Sequence, residues 1–298
     1  MNKTQRITND WLRQSGLQGD ELLLEALLRR GFLAFREDQS VWLGTGSHIN
    51  DLRVLHFIDG LKVEPVAGHP DRMALVTFES ECIKHEDIAS SIIQITENHF
   101  SEDGVSYRLG EFTDTGPSVY MTQIWARYRS MSWGAKMAVC PMREKGRFND
   151  TNGNRTANNA LDLGVALLVK AFPLARVATS SSCDGHGADQ AYISFYFAWD
   201  ACWAKCVFDA LEFKPASSNW IWQLGHDGTL SIEPAGGYDD AAVKAMLDDI
   251  QLFARQLLNQ STINNIGFAR TRTLEAFSSY KPSPERFADE AKRQLVFL

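Results

Sequence analysis

The chain has 298 residues, of which 44% are hydrophobic, so it is long enough to bury a core in one large or two ordinary domains without disulfides. Its formal net charge of −7 argues against a broad basic surface, so we do not expect it to bind nucleic acid or an anionic membrane. Charges interrupt the first thirty residues, and no run approaches 18 apolar residues, so we expect no signal peptide, no transmembrane helix and a cytoplasmic location.

Residues 1–66 are predicted to form a small N-terminal module of helices and a hairpin. Apolar residues at helical spacing predict helices over 8–15 and 20–30, and the stretch GFLAFREDQSVWLG predicts the hairpin that follows. The stretch VEPVAGHPDR, residues 63–72, carries two prolines and a glycine and indicates a linker. The main domain is therefore predicted over residues 67–298.

The main domain is predicted to repeat the order helix, strand, strand, after an opening strand in RMALVTFES. In the first copy, the helix KHEDIASSIIQITENHF precedes the strands GVSYRLGEF and SVYMTQIWARYRS. In the second, a helix over 157–172 precedes a strand entering Ser180 and the strand AYISFYFAW. The third comprises DACWAKCVFDALEF, NWIWQLG and TLSIEPA, and two helices follow, the last capped by Ser283. This order predicts an α+β fold with an antiparallel or mixed sheet built from successive helix–strand–strand units.

The stretch TSSSCDGHGAD, residues 179–189, concentrates reactive side chains at the predicted end of a strand. The Asp-Gly step favours a turn there, so Cys183, Asp184 and His186 are expected in the loop after the strand. Loops at strand ends present reactive groups on a rigid scaffold. We therefore take these three residues as candidate catalytic residues, with a plain hairpin turn as the alternative.

The spacing of sulfur and nitrogen ligands around this loop also favours zinc. Cys183 and His186 are separated by two residues, and Cys202 and Cys206 lie on one face of a predicted helix. Four such ligands suit tetrahedral Zn²⁺, which gives a candidate metal site. The alternative is that Cys202 and Cys206 only pack in the core, because free cysteine is among the most buried residue types.

The other cysteines leave further alternatives open. An odd, sparse set indicates reduced thiols and not a disulfide scaffold; the set is Cys82, Cys140, Cys183, Cys202 and Cys206. Cys82 and His85 repeat the spacing of Cys183 and His186, so a Cys₂His₂ site built from both pairs is a second zinc arrangement. Cys183 is also a candidate nucleophile, with a histidine as its base.

A locally cationic segment precedes the polar loop. The stretch CPMREKGRFNDTNGNRTANN supplies guanidinium and amide groups that bind carboxylates or phosphates, and its candidate substrate-binding residues are Arg143, Arg147, Arg155 and Asn158. A helix over 157–172 that runs antiparallel to the next strand would place its start beside the end of that strand. We therefore expect this segment near Asp184 and His186.

These patterns favour a soluble enzyme, a hydrolase or group-transfer enzyme acting on a small phosphate- or carboxylate-bearing molecule. Asp184 or His186 would serve as acid, base or metal ligand, and Arg147 and Arg155 would orient the anion. The alternative is a noncatalytic ligand-binding or interaction protein, in which the loop is a structural turn or a zinc site at Cys183, His186, Cys202 and Cys206. Zinc is the one cofactor that the sequence indicates.

Overall fold

The structure is a computed structural model that describes residues 1–44, 47, 49–56, 58–67, 72–79, 84–95, 133, 161–195, 197–225, 228–296 and 298. Its helices are α1 (Lys3–Gln14), α2 (Gly19–Arg30), α3 (Ile49–Leu55), α4 (His85–Ile93), α5 (Leu163–Ala171), α6 (Ala198–Ala210), α7 (Asp240–Leu257), α8 (Gln260–Ala276) and α9 (Pro284–Gln294). Its strands are β1 (Ala34–Glu37), β2 (Ser40–Gly44), β3 (Leu61–Pro65), β4 (Arg72–Phe78), β5 (Thr179–Cys183), β6 (Ala191–Phe195), β7 (Ser218–Gln223) and β8 (Thr229–Pro234).

The strands form two antiparallel sheets with the same internal order. The first sheet is ordered β1-β2-β4-β3 and the second β5-β6-β8-β7. In each sheet two hairpins flank a helix in the sequence, and the second strands of the two hairpins pair in the middle. The α+β class with antiparallel sheets is thus confirmed, and the four helix–strand–strand units that build the sheets begin at α2, α3, α5 and α6.

The predicted boundary after residue 66 falls inside the first sheet. β3 begins at Leu61 and covers the first residues of the predicted linker, and β4 lies beyond it. Yet β4 pairs with β2 on one side and with β3 on the other. A proline in the sequence is typical of a linker, but the end of an edge strand also tolerates one. Pro65 lies at such a strand end, where it needs no backbone N–H for the ladder.

The core is continuous between the two sheets, and α5 lies at its centre. Every residue of α5 is buried, and the helix packs against α2 and α7. Its one charged residue, Lys170, forms an ion pair with Asp51 of α3 at 2.9 Å, and both side chains are buried. A buried charge needs such a partner, because burying it alone would cost several kcal/mol.

The C-terminal helices agree with the prediction only in part. α9 begins as predicted, with Ser283 accepting a hydrogen bond from Arg286 N and Pro284 at the first helical position. α8 was not predicted, because its sequence is largely polar. It is held by Arg270, which pairs with Asp200 of α6 at 3.2 Å and lies 5.0 Å from the centre of the Trp203 ring.

Two of the predicted strands lie outside the described residues, GVSYRLGEF and SVYMTQIWARYRS.

Among the helices that the structure describes, none combines the length and the apolar character that crossing a membrane requires.

Candidate functional site

The end of β5 meets the start of α5, as chain direction predicts. β5 ends at Cys183, and the next residue, Asp184, accepts a hydrogen bond from the backbone N–H of Gly164 in the first turn of α5 at 3.0 Å. In return, Asp162, just before α5, accepts from the backbone N–H of Asp184 at 3.4 Å. The polar loop after β5 is therefore bonded to α5, a helix whose residues are all buried.

Gly164 allows this close approach. A Cβ added to Gly164 would lie 2.8 Å from both Asp184 Cβ and Leu247 Cδ2, which is closer than carbon atoms tolerate. Because only glycine leaves the space, the carboxylate of Asp184 can lie directly against the helix backbone.

Asp184 is the buried anchor of the loop. Its side chain is 0% exposed, and its second oxygen accepts the backbone N–H of His186 at 2.8 Å. Burial raises the pKa of Asp184, and the two backbone N–H donors oppose that rise. The carboxylate therefore ties together the helix start, the loop and His186.

The loop backbone is held in an unusual conformation that turns His186 outward. The residues Gly185, His186 and Gly187 form one 3-10 turn, with φ angles of 65°, 53° and 73°. A left-handed conformation is costly for a residue with a Cβ, by about 1–2 kcal/mol. His186 is the non-glycine residue of this turn, and strain of this kind is found at functional positions.

The side chains of Cys183, His186 and Asp184 are aligned in that order. Cys183 Sγ lies 3.9 Å from His186 Nε2, and His186 Nδ1 lies 3.3 Å from Asp184 Oδ1. The buried carboxylate thus faces one ring nitrogen of His186 and the thiol faces the other. His186 itself is 57% exposed, so the ring is open to solvent.

Four side chains that carry potential metal-ligand atoms lie close together in this region. The ligand atoms of Asp162, Cys183, Asp184 and His186 all lie within 4.8 Å of one another. Sulfur and nitrogen ligands of a tetrahedral zinc ion, about 2.3 and 2.0–2.1 Å from it, would lie about 3.5 Å apart. The 3.9 Å between Cys183 Sγ and His186 Nε2 therefore requires little adjustment.

The electrostatics of this cluster suit a cation. Burial raises the pKa of Cys183, and the neighbouring carboxylates of Asp162 and Asp184 raise it further, against the backbone N–H of Gly185, which lowers it. A divalent cation would reverse this balance, because it stabilises a thiolate and nearby carboxylates.

The structure brings together Cys183, Asp184 and His186 but does not add Cys202 and Cys206 to them. Both of these cysteines are buried in α6, and Cys206 Sγ contacts Ala288 O of α9 at 3.7 Å. Burial raises the pKa of each thiol to about 11. Within the described residues, the group able to hold a metal contains Asp162 in their place.

Asp162 was missed by the sequence reasoning, although a signal was present. Chain direction places the start of α5 beside the loop, and Asp162 is the acidic residue at that start. The other predicted site residues lie outside the described part of the chain, namely Arg143, Arg147, Arg155, Asn158 and Cys82. His85 is described, and its ring stacks on Phe78 at 3.9 Å.

The N-terminal helix packs on the same loop. Asn2 Nδ2 lies 3.5 Å from His186 Nδ1, and the stem of Lys3 occupies the space beside Gly187. Arg6 and Asp240 form an ion pair at 2.8 Å, which joins α1 to the start of α7. α1 thus covers one side of the loop and leaves His186 exposed on another.

Comparison of the chain with protein families, with curated proteins and with solved structures finds no match.

Proposed function

We propose that the protein is a zinc-dependent hydrolase or group-transfer enzyme that acts on a small phosphate- or carboxylate-bearing molecule. The observation that carries the proposal is the group of ligand atoms from Asp162, Cys183, Asp184 and His186 within 4.8 Å. Asp162, Cys183 and His186 would bind the metal. Asp184 would hold His186 in position through Nδ1, the arrangement typical of metal-bound histidines.

Three protein ligands leave a fourth tetrahedral position open. Such a position binds water or a substrate oxygen, and zinc lowers the pKa of a bound water to about 7. One carboxylate and one thiolate balance the charge of Zn²⁺, so the metal together with its three ligands would carry no net charge. The exposure of His186 supports access by a small molecule.

The anionic substrate is supported by the sequence around the site. Asn158 and Arg155 precede Asp162 by four and seven positions in the sequence. Guanidinium and amide groups bind phosphates and carboxylates, which is why we propose an anionic substrate. Arg143 and Arg147 belong to the same cationic segment.

Metal analysis tests the proposal directly. Chelator-free protein should contain one zinc per chain, and Cys183→Ser, His186→Ala and Asp162→Asn should each abolish stoichiometric binding. Asp184→Asn should weaken binding by roughly 10–100-fold, because Asp184 only orients a ligand. The double variant Cys202→Ser, Cys206→Ser is the matched control and should keep its zinc.

The outcomes separate the alternatives. Zinc lost in the Cys202 and Cys206 double variant would instead support the set Cys183, His186, Cys202 and Cys206. A cobalt-substituted protein whose visible spectrum is unchanged by added phosphate would indicate a closed, structural site and a noncatalytic protein. Absence of zinc from the wild-type protein in both analysis and titration would overturn the proposal.

Activity provides the second test. Hydrolysis of small phosphate esters or carboxylate-bearing esters and amides should stop after chelation and return when zinc is added. Arg155→Gln and Arg147→Gln should raise KM for the anionic substrate and leave KM unchanged for a neutral analogue of the same leaving group. Equal effects on both substrates would argue against an anion-binding role.

Nucleophilic catalysis by Cys183 is a second candidate function. The order Cys183, His186, Asp184 matches a nucleophile, its base and the residue that orients the base. Against it, burial raises the pKa of Cys183, which leaves little thiolate at neutral pH without a cation. The metal proposal uses the same contacts and also explains the presence of Asp162.

Thiol alkylation distinguishes the two candidates. In metal-free protein, Cys183 should be alkylated by iodoacetamide, while Cys202 and Cys206, buried and with pKa values raised to about 11, should be protected. Zinc should protect Cys183 as well. Full activity of the protein in excess chelator, together with its loss on alkylation of Cys183, would favour the nucleophile.

We also propose that the protein is located in the cytoplasm. The three described cysteines are free thiols, namely Cys183, Cys202 and Cys206. Reduced thiols, including a thiolate ligand for zinc, persist in a reducing compartment.

A further inference from the structure

Asn2 makes a contact with His186 that opposes the contact of Asp184. Both groups approach the same ring nitrogen, with Asp184 Oδ1 at 3.3 Å and Asn2 Nδ2 at 3.5 Å from His186 Nδ1. The carboxylate oxygen accepts a hydrogen bond, whereas the amide nitrogen donates one. In a neutral imidazole, Nδ1 can satisfy only one of the two.

The amide of Asn2 is oriented by the first turn of α1. Asn2 Oδ1 accepts the backbone N–H of Gln5 at 2.9 Å, and Gln5 Oε1 accepts the backbone N–H of Asn2 at 3.0 Å, which together form a capping box. Because Oδ1 is occupied in this way, the Nδ2 group faces His186. Rotation of the amide would break the cap, so the donor is held in place.

The position of α1 over the loop is also well anchored. Lys3 Nζ donates to Tyr238 O and lies 3.5 Å from Asp240, and Arg6 pairs with the same carboxylate at 2.8 Å. A Cβ added to Gly187 would lie 3.1 Å from three carbon atoms of the Lys3 side chain. The helix and the loop therefore fit closely beside His186.

We propose that Asn2 is a positioning residue that sets the tautomer of His186 and thereby lowers the affinity of the site for zinc. This inference rests on the proposed metal site. Zinc binding through Nε2, the nitrogen that faces Cys183, needs the hydrogen on Nδ1, where it donates to Asp184. The Asn2 amide favours the other tautomer, in which Nε2 carries the hydrogen and cannot bind metal.

Two variants of Asn2 test the proposal in protein tagged at the C-terminus. Asn2→Ser keeps a capping oxygen but is too short to reach His186, and Asn2→Asp replaces the donor with an acceptor for Nδ1–H. Zinc should bind both variants more tightly than wild type, Asn2→Asp by roughly three- to tenfold and Asn2→Ser by a smaller factor. Helicity and melting temperature check that α1 remains capped in both.

The tautomer is measured independently of metal binding. In metal-free protein, the nitrogen NMR chemical shifts of the His186 ring should show that wild type populates both neutral tautomers, Nδ1–H and Nε2–H. Both variants should populate the Nδ1–H tautomer more than wild type does. An unchanged tautomer ratio and zinc affinity in Asn2→Ser would overturn the role of Asn2. A higher zinc affinity in Asn2→Asp but not in Asn2→Ser would also overturn it, because the added negative charge alone would then explain the tighter binding.

The NMR result separates this inference from the proposed function. If wild-type protein binds no zinc, the proposed function fails, while the tautomer shift in Asn2→Ser still tests the contact between Asn2 and His186. If zinc binds and the tautomer does not respond, only the role of Asn2 fails.

Discussion

The two sheets share one strand order, but their first hairpins close in different ways. In the first sheet, β1 and β2 are joined by the two-residue turn Asp38-Gln39, which is exposed and has positive φ at both positions. In the second, β5 and β6 are joined by residues 184–190, which carry a fully buried carboxylate and an exposed imidazole. The same topology thus supports a minimal turn in one sheet and the candidate site in the other.

The difference teaches what a loop needs before it can position chemistry. A two-residue hairpin turn satisfies its backbone through the two strands alone. The longer loop after β5 requires further partners, and Asp184 provides them by accepting the N–H groups of Gly164 and His186. His186 is therefore positioned by Asp184, which is bonded to a core helix, whereas Cys183 is positioned by the sheet itself.

The largest effect is expected when this anchor is removed. Asp184→Asn keeps the size of the side chain but turns one oxygen into a donor that faces a backbone N–H. We expect a loss of about 2–4 kcal/mol in the free energy of unfolding, because buried polar groups lose their partners. Urea denaturation of metal-free protein, followed by circular dichroism, measures it.

Asp38→Asn is the matched control in the first sheet. Asp38 is exposed and has φ of 49°, a conformation that Asn tolerates well, so the change should stay within about 0.5 kcal/mol. A similar small loss for Asp184→Asn would mean that water replaces the carboxylate, and the buried-anchor interpretation would then be wrong.

A smaller effect is expected from filling the space between α5 and the loop. Gly164→Ala should cost about 1–3 kcal/mol, because its Cβ would lie 2.8 Å from Asp184 Cβ and from Leu247 Cδ2. Gly236→Ala, whose nearest neighbour would be Ala242 Cβ at 3.6 Å, is the control and should be close to neutral. Zinc affinity should fall with Gly164→Ala and remain unchanged with Gly236→Ala.

Local sequence signals predicted the part of the site that is local in sequence. Alternation and the Asp-Gly step located the end of β5, and chain direction located the start of α5 beside it. These signals suffice because a strand end and a turn are determined by residues that are neighbours in the chain. The antiparallel order of β5 and β6 follows from the same short connection.

Residues whose role depends on tertiary packing were not predicted. Asp162 enters the group because α5 packs on β5; chain direction indicated that the start of α5 lies beside the loop, but the residues next to Asp162 do not mark it as a ligand. The i, i+4 spacing of Cys202 and Cys206 is the same for two metal ligands as for two core residues, so spacing alone cannot separate these roles. The apolar face of α8 is too narrow to predict a helix from the sequence. The helix is stabilised instead by the buried contacts of Arg270 and its neighbours, which the sequence alone does not show.

The smallest effect concerns backbone strain, which the two loops share. Gln39 and His186 have φ angles of 59° and 53°, and glycine at either position would remove the strain of a left-handed backbone. Because glycine also gains entropy in the unfolded chain, we expect a net stabilisation of at most about 1 kcal/mol for Gln39→Gly. His186→Gly should stabilise metal-free protein by a similar amount but abolish zinc binding. Urea denaturation and zinc titration of both variants make the comparison.

If His186→Gly instead destabilises metal-free protein by more than about 1 kcal/mol, the contacts of the ring with Asn2 and Asp184 outweigh the strain, and the imidazole stabilises the fold even without metal.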